Sequence, residues 1–232
     1  MAADGEAEED TVSGAFVFRE GPAGELEFVG DFDGLYGAED DPWGQSGSDE
    51  RLGRYYDRSR ATIIEMLRSL GPVDSLLEVG SGLGQVCAEI RDAGCANAVD
   101  GVDSSRLAVE KAATRYPDIH FFVGDIRDPA FAAPRPAYDA VLVNQTLWYI
   151  LDALPQVLDN IHRVLAEGGH LLIANAFMRT PQRYGREVID GFDGLVRYLA
   201  GHTEGLFLFC DARLHSDPEL LYDDGHVLMR KA

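Results

Sequence analysis

From residue 73 onward, short apolar runs alternate with stretches of helical periodicity, and this alternation constrains the fold more than any other feature of the chain. The runs are SLLEVG (75–80), NAVDGVD (97–103), IHFFVG (119–124), YDAVLVN (138–144) and HLLIANA (170–176). Gln85–Ala93, Ser104–Arg115 and about Leu154–Leu165 read as the intervening helices. A further helix is expected over about Tyr184–Ala200, and GLFLFCDA (205–212) and GHVLMRK (225–231) supply two closing strands. Serial strand–helix units predict an α/β fold, with a mostly parallel sheet covered by helices on both faces.

The 232 residues suffice for one such domain with an N-terminal addition. Residues 1–13 read as an acidic tail. Ala15–Gly30 carries two alternating runs around Gly-Pro-Ala-Gly, a hairpin signal. An isolated hairpin is marginal in water, so it is expected to pack on the main domain or to form a homodimer contact. Residues 31–48 are rich in Asp and Gly, with Phe32, Tyr36 and Trp43 among them. A helix should follow over about Asp49–Leu70, with Ile63, Ile64, Leu67 and Leu70 as its apolar stripe and Gly71-Pro72 as its stop. The expected division is tail, hairpin and lid over 1–48 and the main domain over 49–232.

Charge excludes some functions. Forty acidic residues against twenty basic ones give a net charge of −20, which repels nucleic-acid backbones. No apolar run approaches the roughly 18–20 residues of a membrane helix, and the acidic N-terminus shows no secretory signal. The three cysteines form no CxxC pair, so a reduced cytoplasm is expected.

In open α/β sheets the ligand lies beyond the carboxyl ends of the strands. After the first run comes Glu78-Val79-Gly80-Ser81-Gly82-Leu83-Gly84, whose glycines permit a tight turn and close approach of a ligand. Gln85 stands where a dinucleotide fingerprint would place its third glycine. Asp103 follows the second run and could accept from both hydroxyls of a ribose. Asp125 follows the third, within Gly124-Asp125-Ile126, and could accept from an exocyclic amine. Asn144-Gln145-Thr146-Leu147-Trp148-Tyr149 follows the fourth and could face a reacting centre.

Taken in order, these turns resemble the class I S-adenosylmethionine-dependent methyltransferases over about residues 50–232. That resemblance implies strand order 3-2-1-4-5-7-6, with the seventh strand antiparallel. It implies S-adenosylmethionine as cofactor, S-adenosylhomocysteine as product and a small-molecule methyl acceptor. Cofactor contacts are expected from Glu78, Gly80, Ser81, Gly82, Gly84, Asp103, Ser104, Asp125, Ile126, Asn144 and Gln145. Trp43 is expected as a lid residue and Arg60 as the partner of a cofactor or substrate carboxylate. His215 and Tyr149 are candidates for work at the reacting centre, and Tyr55, Trp148, Tyr184 and Tyr222 for substrate contact. Asn144 and Asn175 stand where a catechol-type metal site would need acids, so no metal is expected. Asp41-Pro42-Trp43 and Leu147-Trp148-Tyr149-Ile150-Leu151-Asp152 are similar to segments of the nodulation protein S family, which N-methylates a chitooligosaccharide amine. Two alternatives stay open: a nicotinamide-dependent oxidoreductase, and a repurposed fold that acts without methylating or serves as a partner subunit.

Overall fold

A computed structural model describes residues 16–22, 24–45, 50–220 and 222–232. The acidic tail, the first residue of the expected hairpin, the expected helix start at Asp49 and the 48/49 division lie outside the described residues. In chain order, β1 (Phe18–Glu20) and β2 (Leu26–Phe28) form the hairpin, and α1 (Phe32–Ala38) and α2 (Glu50–Ser69) follow. The main domain then runs β3 (Ser75–Val79), α3 (Gln85–Asp92), β4 (Ala98–Asp103), α4 (Arg106–Arg115), β5 (His120–Val123) and β6 (Tyr138–Asn144). It ends with α5 (Leu154–Val164), β7 (Leu165–Phe177), α6 (Gly191–His202), β8 (Phe207–His215) and β9 (Asp223–Lys231).

Seven strands pair in the order β5-β4-β3-β6-β7-β9-β8. The first five are parallel to one another, while β9 runs antiparallel to both β7 and β8. This is the 3-2-1-4-5-7-6 order expected from the sequence. Each face of the sheet carries its own core. One gathers Val141, Val143, Ile173, Val227 and Met229 under α5 and α6. The other gathers Leu76, Leu142, Leu172 and Leu228 under α2 and α3. Helix α5 shows why the pattern works. Leu154, Val157, Leu158, Ile161 and Val164 fall on one face, all are buried, and a proline opens the first turn. None of the described helices is long and apolar enough to cross a membrane.

Four boundaries differ from the sequence expectation. Residues 32–38 form a helix despite Gly34 and Gly37, because Asp31 caps it: its Oδ1 accepts from the Gly34 N–H at 2.9 Å. The helix expected from Tyr184 begins at Gly191, because Gly185 and Gly191 both adopt positive φ and break the preceding segment. Strand β7 begins at Leu165: Tyr138 pairs with Leu165 and Ala140 with His170, so Ala166–Gly169 bulges out of register. Finally, β8 reaches His215 where residue 212 is the expected end, and β9 starts at Asp223 where 225 is the expected start, so the ladder between the closing strands runs further at that end.

The chain order reverses about β3, whose neighbours are β4 and β6. That switch point is where the strand ends carrying Gly80, Asp103 and Asn144 converge.

Candidate functional site

A cavity of about 770 Å3 opens at the switch point. The main domain contributes the turn after β3, Asp103 and Ser104 after β4, Gly124 to Arg127 after β5, and Asn144 to Thr146 with Trp148 to Ile150 after β6. The hairpin, α1 and the segment after it supply Phe18, Phe32, Tyr36, Asp41 and Trp43 from the other side.

The glycine turn is held by a carboxylate. Asp103 Oδ2 accepts from the Gly82 N–H at 2.8 Å, and Oδ1 accepts from the Ser105 N–H at 2.9 Å. Asp103 thus ties the turn after β3 to the turn after β4, and each oxygen keeps a further lone pair for a ligand hydroxyl. Burial raises its pKa above the ordinary carboxylate value. Two glycines are obligatory here. A Cβ at Gly80 would collide with the Thr146 side chain, and one at Gly82 would lie 2.7 Å from the Tyr36 hydroxyl, both at positive φ.

Glu78 lines the same cavity, yet almost all of it is shut off from solvent. Its partners only partly offset that burial: the Cys87 thiol donates to Oε2 at 2.9 Å and Asn144 Nδ2 to Oε1 at 3.4 Å, with smaller help from the Cys87 backbone N–H and the Arg60 charge. Burial pushes the carboxyl up to about 7. A buried acid with so little compensation suits a cationic ligand group.

Asp125 is engaged by a residue that the sequence reading missed. Arg127 Nε and Nη2 donate to its two oxygens at 3.0 and 2.8 Å, and the Arg127 N–H adds a third bond. This pairing lowers the Asp125 pKa despite partial burial. The signal was the Asp-Ile-Arg spacing, which allows a carboxylate to accept from the backbone two residues on.

The lid is aromatic. Tyr149 packs against Phe28, Phe32 and Trp43, with ring centroids 5.4–6.2 Å apart. Trp43 Nε1 donates to the Tyr36 hydroxyl at 2.9 Å, and the Tyr56 hydroxyl donates to the Trp43 carbonyl at 3.1 Å. Two latches hold this layer down. At one end Asp33 accepts from Ser105 Oγ at 2.7 Å, and Lys111 Nζ donates to the carbonyls of Tyr36 and Glu39. At the other, Arg183 donates to Glu20 at 2.6 Å and to the Gly24 carbonyl at 2.8 Å. The hairpin's aromatic face is therefore used within the chain, Phe18 lying 4.9 Å from Tyr184.

Of the residues expected at the site, Trp43, Glu78, Gly80, Ser81, Gly82, Asp103, Ser104, Asp125, Ile126, Asn144, Gln145, Trp148, Tyr149 and Tyr222 line the cavity. Five do not. His215 ends β8, where Arg58 reaches its Nδ1 at 3.0 Å, away from the cavity. Arg60 is buried against Glu89 at 3.2 Å, with its guanidinium over Tyr56. Gly84 is the left-handed N-cap of α3, with Phe121 packed against it. Tyr184 supports the hairpin from behind, and Tyr55 is fully buried beneath the floor. The sequence offers no sign of which face of an element these residues occupy. Tyr36 and Phe32 carry no expected site role, because the Asp- and Gly-rich run over 31–48 gives no sign of the helix that aims them.

Residues 77–173 match the family described as Methyltransferase domain. Nodulation protein S of Rhizobium tropici is 26% identical over 157 residues, which cover 64% of this chain and 60% of that protein's length. Among solved structures, the N-methyltransferase NodS from Bradyrhizobium japonicum WM9, in complex with S-adenosylhomocysteine, superposes with a TM-score of 0.65 at 19% identity, covering 84% of this chain and 93% of its own. Magnesium protoporphyrin IX methyltransferase from Synechocystis PCC 6803, with bound S-adenosylmethionine, gives a TM-score of 0.61 at 15% identity, covering 82% and 89%. The sheet order and the glycine turn are those expected from the resemblance to the class I S-adenosylmethionine-dependent methyltransferases, and residues 77–173 match a methyltransferase domain.

Proposed function

We propose that the protein transfers a methyl group from S-adenosylmethionine to a nitrogen or oxygen of a small molecule, with an amine as the favoured acceptor. The observation that carries this reading is the Asp103 clamp on the glycine turn, opening into a cavity closed by an aromatic lid. When bound, the cofactor supplies a methyl group activated by an adjoining sulfonium. Asp103 would hold the ribose hydroxyls, Asp125 with Ile126 the adenine side, and Glu78 the cationic end. Trp43, Tyr36 and Tyr149 exclude water. Alignment of nucleophile and methyl by these walls can be worth roughly 7–11 kcal/mol of barrier.

The preference for an amine rests on charge and on the lack of an imidazole among the described lining residues. Arg19, Arg127 and Arg183 face Glu20, Asp41, Glu78, Asp103 and Asp125 around the cavity, an excess of negative groups on a chain of net charge −20. Anionic acceptors are disfavoured. No imidazole lines the cavity among the described residues. A neutral amine needs no general base, whereas a hydroxyl benefits from one. Phe18, Trp148 and Tyr149 would bound the body of the acceptor. The three free cysteines support an intracellular location.

The test is turnover of labelled S-adenosylmethionine with panels of amines, sugars and phenols. Methylated amine with stoichiometric S-adenosylhomocysteine is expected. Tight cofactor binding with no methylated product from any panel would favour the repurposed fold instead.

A further inference from the structure

Beneath the cavity floor lies a buried polar chain for which the binding contacts above have no use. It starts at Asp224 on β9, which has no exposure to solvent. Asp224 Oδ1 accepts from Ser59 Oγ at 2.9 Å and from the Tyr55 hydroxyl at 3.3 Å. The Tyr55 oxygen accepts from Gln145 Nε2 at 2.8 Å, and Gln145 Oε1 accepts from the Ala176 N–H at 3.0 Å. Both ends of the Gln145 amide are thereby fixed. Gln145 lines the cavity directly after β6, and among the described residues it is the one non-glycine with positive φ, at 53°. Such a backbone persists only where its surroundings hold it. Tyr55 supports two further lining residues, its ring lying 5.5 Å from Tyr56 and 5.6 Å from Tyr222.

We propose that Tyr55 is a positioning residue, acting through Gln145 and oriented by Asp224, that fixes the turn after β6 against which the cofactor is seated. This rests on the reading that the cavity takes S-adenosylmethionine. A tyrosine with a purely structural role could end on any carbonyl; this one ends on a carboxylate that burial makes costly. The second oxygen of Asp224 has no partner and faces His226 Nε2, also without one, at 3.7 Å. The groups around Asp224 are Tyr55, Ser59 and Arg58 from α2, His226 from β9, and His215 and Arg213 from β8. Burial raises the Asp224 carboxyl to about 6 and lowers His226 to about 4. Near neutrality Asp224 is therefore an ionised acceptor. Once protonated, it is a weaker acceptor for the Tyr55 hydroxyl, and the Gln145 amide is held less firmly through it.

The experiment is calorimetric titration with S-adenosylhomocysteine between about pH 5 and 8, on wild type, Tyr55→Phe and Asp224→Asn, with melting of each unliganded protein alongside. Wild type should lose affinity as pH falls through about 6. Tyr55→Phe should bind roughly tenfold more weakly at neutral pH, because the Gln145 donor is orphaned, and should lose less affinity than wild type toward about pH 5, keeping only the loss that Glu78 protonation gives all three proteins. Asp224→Asn mimics the protonated acid, so it should bind more weakly than wild type at neutral pH and lose correspondingly less affinity as pH falls through about 6. Tyr55→Phe matching wild type throughout, or Asp224→Asn losing as much affinity as wild type between about pH 7 and 5, overturns the proposal. A melting shift with unchanged affinity would mark Tyr55 as structural only. If Tyr55→Phe fails to fold, the Asp224→Asn profile decides alone. Failure of wild type to bind at any pH is a separate outcome, which removes the cofactor reading itself.

Discussion

Glu78 is the side chain whose burial is hardest to account for by packing alone. The fold holds it with a thiol and a long amide contact, and its carboxyl sits at about 7 where an ordinary glutamate lies at 4.5. A raised carboxyl pKa means that the folded state favours the protonated form. The associated stability is fully present below the unfolded value and is lost as pH rises through about 7. Glu78→Gln should therefore stabilise the unliganded protein at about pH 8, by at most about 3 kcal/mol, and the gain should vanish by about pH 5. Thermal unfolding at the two pH values reads this directly; equal midpoints at both would contradict it. The same substitution should weaken cofactor binding, since it removes the charge expected to face the cationic end. Stability gained and affinity lost in one variant is the signature of a group kept for function.

The lid is a layer of short elements, none of which could stand alone. The β1–β2 hairpin and α1 are held by aromatic packing on Tyr149 and by the latches at Lys111 and Arg183. Lys111 bridges two carbonyls at the end of α1, so Lys111→Met should free that end. The expected result is weaker S-adenosylhomocysteine binding, by about 3–10-fold, with a melting shift of only a few degrees, as for loss of partly exposed polar contacts. Unchanged affinity in a protein with α1 released would show that the lid plays no part in binding. The elements also divide by how legible they were. Strands β3, β4 and β6 and the turns behind them are local patterns, with apolar runs ending in Gly, Asp or Asn, and the sequence carries them plainly. Helix α1 is not such a pattern: its glycines argue against it, and its tertiary contacts to α4 decide the matter. Tyr55, Arg60 and His215 lie off the cavity wall for a related reason. Their residue types suit a site, but the rotation of α2 and the β8–β9 register turn them elsewhere.

Taken together, the chain is an acidic molecule with a partly enclosed pocket at the switch point of its sheet. Net charge of this size creates a field that attracts cations before contact. S-adenosylmethionine carries one more positive charge than S-adenosylhomocysteine. Its association rate should therefore fall with added salt, whereas that of S-adenosylhomocysteine should barely change. Stopped-flow fluorescence of Trp43 and Trp148, both of which line the cavity, provides the readout. Identical salt dependence for the two ligands would contradict steering. Every one of these expectations depends on the cavity's first occupant. Calorimetric titration of S-adenosylhomocysteine into wild type and Asp103→Ala, with melting curves to verify folding, addresses that occupant most directly. Micromolar or tighter binding by wild type, weakened roughly a hundredfold or more by the substitution, is the predicted result, because Asp103 both receives the ligand and clamps the glycine turn. Folded wild-type protein that takes up no S-adenosylhomocysteine, or a folded Asp103→Ala variant that binds it as tightly as wild type, would contradict the assignment.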